Sequence, residues 1–502
     1  MTSMMLMAAV FFQSIPAGAI SGYYYSLSII AGTGVSGAPT VPGAATASSL
    51  SGPWGVATDI AGNVYIADSG NNVIEKIDYS GNLTVIAGNG TPGMASNGVA
   101  TSTHLNNPLG VAVDGSGNVY IADSGNNVIE KVDSSGNLTI IAGNGTPGMA
   151  SNGVATSTQL NAPCGVAADS SGNIYIADTG NNLIEKVDSS GNLTIIAGNG
   201  TPGMATDGSV ATASSLFNPS GIAVDPIGEV YIADSGNNLI EQIDSLGNLV
   251  FIAGTGASGS PTPGAATSSD LSAPSGVSID GSGNVYIADS LNFVIEEVTP
   301  NVTPGQPGSL SIILGTGSIL AFSALGHPVA VAASSGGNVY VADEGNNMVE
   351  KLTKTAMTSP DSPTSVVANS GDSQAAISWT APFSGGTPIT SYTATISPGG
   401  LTCTTSTTSC SVSGLTNGTT YSITVTATNG IGTSAPSAPV SVVPGGIPQP
   451  PPSAGGVPTT ASSPLAFTGA EVSVATGVAL LLFGFAVGLF LISHRRRVVS
   501  EK

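Results

Sequence analysis

A seven-residue phrase, Gly-Asn-Val-Tyr-Ile-Ala-Asp or a close variant, recurs six times along the chain. Its second position is Asn or Glu, and successive copies lie 55, 55, 56, 55 and 54 residues apart, at Asn63, Asn118, Asn173, Glu229, Asn284 and Asn338. A fixed period of this size indicates a repeat architecture, and the alternation inside each copy predicts strands. The sequence therefore predicts an all-β fold, dominated by a six-bladed β-propeller over residues 27–355.

One repeat contains four short strand-like segments, separated by Gly, Asn, Asp and Ser turn signals: residues 108–114, 117–123, 128–132 and 138–142. Four antiparallel strands make one blade. The first segment is apolar, which predicts an inner strand buried on both faces. The third segment alternates, and we expect its Glu and Lys side chains at outer positions.

Blade six lacks a fourth strand, because the chain leaves the repeat soon after the segment 348–352. An unpaired strand-like segment, Leu-Ser-Ile-Ile-Ala at 27–31, precedes the first blade. We predict that this N-terminal strand completes blade six, which would leave no exposed sheet edge between the first and last blades.

The repeated phrases GVAVD, GNVYIAD, NN-I-KV and IAGNG resemble the NHL repeat of bacterial proteins. The resemblance covers residues 27–355 and implies a six-bladed NHL propeller. Where the common bacterial form places Arg, this chain has Val73, Val128 and Leu183, followed two positions later by Glu. Its third strands are therefore less basic than those of the family.

Nearly every repeat carries two Asp residues. The first set is Asp59, Asp114, Asp169, Asp225 and Asp280, and the second is Asp68, Asp123, Asp178, Asp234, Asp289 and Asp343. Most precede Gly/Asn turns, where a carboxylate can accept hydrogen bonds from turn N–H groups. Calcium ligation is the alternative, but the absence of a D-x-[DN]-x-[DN]-G loop favours turn capping.

The residue after the recurrent proline of each inner strand is expected near one mouth of the propeller channel. These positions differ while their surroundings repeat, which predicts either a shallow binding surface or unconstrained drift. With His327, which precedes Pro328, the candidate ligand-binding residues are Trp54, Leu109, Cys164, Ser220, Ser275, His327 and Val329.

No pattern for catalysis accompanies this mouth. His104 and His327 have no second metal ligand at equivalent spacing, and no Gly-x-Ser-x-Gly elbow is present. Cys164 is interpreted as a small neutral residue. We therefore predict no catalytic residues, no metal and no cofactor.

Residues 360–444 depart from the repeat and resemble a fibronectin type III domain, which implies a β-sandwich. Trp379 corresponds to its core tryptophan, and Leu415 with Tyr421 to the corner that joins its two sheets. Such a module can act as a spacer or a binding platform. In an oxidising compartment, a Cys403–Cys410 disulfide is predicted to staple a hairpin.

The two ends predict export and anchoring. Residues 1–19 combine an apolar run with a small-residue Ala-Gly-Ala site, which indicates a signal peptide, the alternative being a mere apolar N-terminus. Residues 445–464 are rich in Pro and predict an extended linker. An apolar segment at 472–492, followed by a basic tail at 493–502, predicts a single transmembrane helix with a cytoplasmic end.

The pentapeptide before that segment resembles the Leu-Ala-x-Thr-Gly cell-wall sorting signal of Gram-positive bacteria; it consists of Leu465, Ala466, Phe467, Thr468 and Gly469. The resemblance implies that a sortase attacks the carbonyl of Thr468 and transfers the chain to cell-wall peptidoglycan. Retention in the membrane as a single-pass protein is the alternative. Both interpretations place the N-terminal part outside the cell.

The formal net charge of -21 predicts a surface that repels phosphate groups, which argues against nucleic acid as a partner. The sequence favours a noncatalytic cell-surface protein for adhesion or for recognition of an extracellular protein or glycan. An extracellular propeller lyase or hydrolase acting at the channel mouth and an extracellular sensor domain are the alternatives.

Overall fold

A computed structural model describes residues 22–301, 306–315 and 325–445. These residues form six propeller-like sheets and the two sheets of a sandwich, so the predicted all-β class is confirmed. Among them, no helix has the length and apolarity needed to cross a membrane. The predicted signal peptide, the linker after Gly445, the sorting motif, the transmembrane helix and the tail lie outside the described residues.

Each propeller sheet repeats the same antiparallel strands. The inner strands are Pro53–Thr58, Pro108–Val113, Gly165–Ala168, Pro219–Val224, Pro274–Ile279 and Pro328–Ala333. The second strands are Val64–Asp68, Val119–Asp123, Ile174–Asp178, Val230–Asp234, Val285–Asp289 and Val339–Asp343. The third strands are Val73–Ile77, Val128–Val132, Leu183–Val187, Leu239–Ile243, Val294–Thr299 and Met348–Ala356.

The fourth strands of blades one to five are Asn82–Ala87, Asn137–Ala142, Asn192–Ala197, Asn248–Ala253 and Ser309–Gly315. Each of these fourth strands pairs with a two-residue strand at the outer edge of the blade, which the sequence did not predict. These outer strands are Gly43–Ala44, Gly98–Val99, Gly153–Val154, Ser209–Val210 and Gly264–Ala265. Short 3-10 turns follow these outer strands or the second strands: Ala45–Ala47, Ser69–Asn71, Ala100–Ser102, Ser124–Asn126, Ala155–Ser157, Thr179–Asn181, Ala211–Ala213, Ser235–Asn237, Ala266–Ser268 and Ser290–Asn292.

The N-terminal strand closes the ring as predicted. Tyr23–Ala31 pairs antiparallel with Met348–Ala356 and is the fourth strand of blade six. It begins at Tyr23 rather than at Leu27. The inner strand of blade six also contacts the inner strand of blade one. The closing strand Tyr23–Ala31 contacts the turn Ala45–Ala47 at the outer side of blade one, so the two blades are neighbours at both sides.

The core lies between neighbouring blades. At the interface of blades one and two, Ile74, Leu105 and Ile121 are fully buried. The inner strands approach closely because those of blades one to five have glycine at the contact point, where blade six has Ala330. A Cβ on Gly110 would lie 2.4 Å from the carbonyl oxygen of Cys164. Glycine at this position therefore sets the spacing of the blades.

The expected outward Glu positions of the third strands are buried, and that prediction is wrong. Five of these side chains have 0% exposure: Glu75, Glu130, Glu185, Glu241 and Glu296. One face of the third strand of blade two carries Val128, Glu130 and Val132. All three of these side chains are buried. Among the described residues, neither carboxyl oxygen of Glu130 has a hydrogen-bond partner. Burial, assisted by the neighbouring Asp123 carboxylate, raises the pKa of Glu130 to about 9.

The sandwich consists of a three-stranded and a four-stranded sheet. Its strands are Thr364–Gly371, Gln374–Thr380, Ser391–Ser397, Leu401–Thr405, Ser409–Ser413, Tyr421–Thr428 and Val440–Val442. Trp379 is buried in this core, with its ring centroid 5.5 Å from that of Tyr392. The Tyr421 hydroxyl accepts a hydrogen bond from the Thr416 N–H at 3.0 Å, which forms the predicted corner beside Leu415.

Cys403 and Cys410 do not lie on one hairpin. Cys403 belongs to a strand of the four-stranded sheet and Cys410 to a strand of the three-stranded sheet, so the predicted hairpin staple is wrong. Both are free thiols here, and burial together with the Cys403 thiol raises the pKa of Cys410 to about 12. A disulfide between them stays a prediction, and it would join the two sheets.

Candidate functional site

The first Asp, present in five of the six repeats, caps a turn as predicted. Asp114 Oδ1 accepts hydrogen bonds from the N–H groups of Ser116 and Asn118, both at 2.9 Å. Its Oδ2 accepts from Asn118 Nδ2 at 2.7 Å and from the Tyr120 hydroxyl at 3.0 Å. Partial burial acts to raise the pKa of Asp114, but these hydrogen bonds outweigh it and hold the pKa below its ordinary value.

The second Asp joins the loop that leads into the inner strand to the turn that follows the second strand. Asp123 is fully buried, and its Oδ1 accepts from the Asn106 N–H at 2.8 Å. Its Oδ2 accepts from Asn126 Nδ2 at 2.6 Å, and the same amide donates to the Gly93 carbonyl at 2.7 Å. This carboxylate therefore fixes the position of the channel mouth.

The second Asn of each Asn-Asn pair links one blade to the next. Asn127 Oδ1 accepts from the Ala162 N–H at 2.8 Å, and Asn347 Oδ1 accepts from the Gly52 N–H at 2.9 Å across the closure. Equivalent bonds are made by Asn72, Asn182 and Asn238. Blade five has Phe293 at this position and so lacks the amide. These bonds hold the loops that carry the predicted mouth residues.

The structure brings six of the seven predicted mouth residues together. A narrow channel cavity of about 70 Å³ is lined by Trp54, Leu109, Cys164, Ser220, Ser275 and Val329. His327 does not line this cavity. Its Nδ1 lies 3.1 Å from Oε2 of Glu344, in the loop that follows the second strand of blade six.

Four of the six are buried or already hydrogen-bonded within the channel. The Ser220 hydroxyl donates to the Ser275 carbonyl at 2.9 Å, and the Ser275 hydroxyl donates to the Val329 carbonyl at 2.8 Å. Val329 is only 1% exposed. Burial raises the pKa of the Cys164 thiol to about 11, although hydrogen bonding with Trp54 and Thr179 opposes the rise. The thiol is therefore protonated at neutral pH.

Trp54 and Leu109 also border a larger, open cavity of about 570 Å³ at the junction of blades six, one and two. Its lining includes Asn107, Glu344 and Asn347, and with Trp54 and Leu109 these residues are called the mouth site. Sequence analysis missed the polar three. For Asn107 the available signal was the residue before each recurrent proline, which varies as strongly as the residue after it: Gly52, Asn107, Ala162, Asn218, Ala273 and His327.

The mouth site offers an indole face, an aliphatic side chain, amide groups and one carboxylate. Such groups can bind a polar or mixed ligand but include no activated nucleophile. His104 lies apart, with its Nδ1 2.9 Å from the Thr91 carbonyl oxygen. In the described part of the chain, no group of three or more His, Cys, Asp or Glu side chains is placed to hold a metal ion.

Comparison with known proteins identifies both modules. The model of the NHL repeat matches residues 105–130, 160–186 and 218–243, and that of the fibronectin type III domain matches residues 361–443. Protein SUPPRESSOR OF QUENCHING 1, chloroplastic, of Arabidopsis thaliana is 29% identical over 266 residues, covering 50% of this chain and 25% of that protein. Teneurin-1 of Homo sapiens is 30% identical over 228 residues, covering 40% of this chain and 8% of that protein.

The chain thus spans a quarter or less of the length of these curated relatives. A solved structure of a Bacteroides thetaiotaomicron protein of unknown function aligns with a TM-score of 0.48 and 16% identity, covering 66% of this chain and 76% of that one. The matches to the two family models agree with the two kinds of sheet described above. The chain therefore contains NHL repeats, within its propeller-like sheets, and a fibronectin type III domain.

Proposed function

We propose that the protein is a noncatalytic cell-surface binding protein that recognises an extracellular protein or glycan at the mouth site. The observation that carries this proposal is the open cavity of about 570 Å³ beside the half-buried Trp54. The repeat scaffold holds this cavity in place through the buried Asp residues and the Asn bonds between blades. A preformed concavity lowers the entropy cost of binding, because less of the site has to be ordered by the ligand.

The chemistry of the mouth site favours a ligand with one apolar face and several hydrogen-bonding groups. An indole face packs against a sugar ring or an apolar side chain, and amides bond to hydroxyl or peptide groups. Glu344 and the net charge of -21 disfavour phosphate and carboxylate groups near this surface. Neutral or cationic glycan and peptide groups are therefore the expected partners.

The surface location belongs to the proposal as well. The order of motif, apolar segment and basic tail supports attachment by a sortase to peptidoglycan, and the Pro-rich linker would hold the two modules away from the wall. The fibronectin type III domain would extend this spacer.

The test is capture of partners from extracellular extracts by the immobilised full chain. We expect the double variant Trp54→Ala, Leu109→Ala to recover at least tenfold less of the captured protein or glycan. Tyr79→Ala is the matched control, because Tyr79 is 88% exposed in an outer turn of blade one and does not line the mouth site. Equal recovery by the double variant, with an unchanged melting temperature, would rule out the mouth site.

A further inference from the structure

Blade one carries an open apolar groove away from the mouth site. Its cavity of about 650 Å³ is lined by residues that include Ala38, Val41, Val73, Val85 and Gly90. Ala38 lies in the loop that leads into blade one, and Gly90 follows the fourth strand of the same blade. We call this cavity the blade-one groove.

Blades three and four fill the equivalent place with a methionine side chain. The loops before blades three and four carry Thr-Pro-Gly-Met in register with the segment that ends at Ala38. The Met149 methyl group lies 3.1 Å from the Cβ position of Gly200, and the Met204 methyl group covers Gly256 in the same way. At Gly90, by contrast, that position meets only a backbone oxygen, 3.9 Å away. The chain itself therefore shows which side chain fits the groove.

Blade two has the same methionine, but this side chain does not cover its own blade. Met94 is 85% exposed, whereas Met149 and Met204 are 56% and 50% exposed. The Cβ position of Gly145 meets only a backbone oxygen, 3.9 Å away. One molecule thus presents an unfilled groove on blade one and an uncovered methionine on the neighbouring blade.

We propose that the blade-one groove binds Met94 of a second copy of this chain. The Thr-Pro-Gly-Met loop that carries Met94 has the sequence of the loops that fill the grooves of blades three and four. Methionine suits such a contact because its unbranched side chain adapts to irregular apolar surfaces. The net charge of -21 opposes the approach of two copies, so added salt is expected to strengthen their association.

The test measures self-association of the full chain by sedimentation velocity in a mild detergent, over a range of concentrations and salt. Ala38→Met fills the groove with the side chain that blades three and four use, and Met94→Ala removes the inserted group. Each variant alone is expected to associate at least tenfold more weakly than the unchanged chain. Met204→Ala is the matched control and should associate normally.

Mixing the two variants gives the decisive result, because Ala38→Met retains an intact Met94 and Met94→Ala retains an open groove. With different fluorescent labels on the variants, we expect mixed pairs to form at concentrations at which each variant alone is monomeric. A monomeric unchanged chain, or association that survives Ala38→Met, would overturn the proposal. The assay contains only this chain and no extracellular extract. Failure of self-association would therefore not bear on the proposed binding of a partner at the mouth site.

Discussion

At the scale of single residues, the same carboxyl chemistry serves opposite roles according to its surroundings. Asp114 accepts four hydrogen bonds at a turn and is stabilised as an anion. Glu130 is buried without a partner among the described residues, and its pKa rises to about 9. The same position recurs in other blades, and burial also raises the pKa of Glu75 and of Glu241 to about 9.

These buried acids make stability depend on pH. In the unfolded chain Glu130 has its ordinary pKa of 4.5, so between about 4.5 and 9 the folded state holds a proton that the unfolded state has released. Stability therefore falls as pH rises through this window.

Glu130→Gln cannot ionise, and we expect it to reduce this slope and to be more stable than the unchanged chain at pH 8. Below pH 4.5 the two chains should differ little. Denaturant unfolding at several pH values measures the effect, and Glu75→Gln combined with Glu130→Gln should double it, since the two residues belong to different blades. An unchanged slope in both variants would show that the buried Glu side chains are already ionised in the folded chain.

At the scale of elements, the inner strands depend on glycine where neighbouring blades meet. Gly110→Ala would place a Cβ 2.4 Å from the Cys164 carbonyl oxygen, which belongs to the backbone and cannot rotate away. We expect a loss of about 1–3 kcal/mol in the free energy of unfolding.

The matched control is Gly115→Ala in the same blade. A Cβ at Gly115 meets nothing within 4 Å, so this variant should unfold within about 0.5 kcal/mol of the unchanged chain. Urea denaturation compares the two, and equal midpoints would contradict the close approach of the blades.

At the scale of the whole molecule, the proposed anchoring depends on the sorting motif that the sequence predicts at residues 465–469. Thr468→Ala removes the threonine whose carbonyl the proposed sortase attacks, so the chain should move from the cell-wall fraction to the membrane fraction. Immunoblots of fractionated cells measure this shift, with Phe467→Ala, at the variable position of the motif, as control. Wall attachment that persists in Thr468→Ala would exclude the sortase route.

Much of the fold could be predicted because the repeat shows the same strands and turns six times. The closing strand followed from counting strands, and the Asp114 cap followed from its turn. The two-residue outer strands were missed, since Gly98–Val99 has no strand pattern. Burial of Glu130 was missed because alternation identifies a strand face but not the neighbouring blade that covers it.

The candidate site could be predicted only in part. Variation among the copies located Trp54 and Leu109, but it could not separate them from Ser220 and Ser275, whose hydroxyls bond to neighbouring carbonyls. Glu344 was missed because it follows a second strand and reaches the mouth site only when the ring closes.

The most direct measurement of binding at the mouth site is the fluorescence of Trp54. The chain has 2 tryptophans, and Trp379→Phe leaves Trp54 as the single reporter. Among the described residues, the Trp379 indole nitrogen has no hydrogen-bond partner, so this change removes none. On titration with the captured partner, we predict a blue shift and protection of Trp54 from acrylamide quenching. The Trp54→Phe variant, which retains Trp379, should show neither the blue shift nor the protection from quenching. Saturating binding without any change in the fluorescence of Trp54 would contradict recognition at the mouth site.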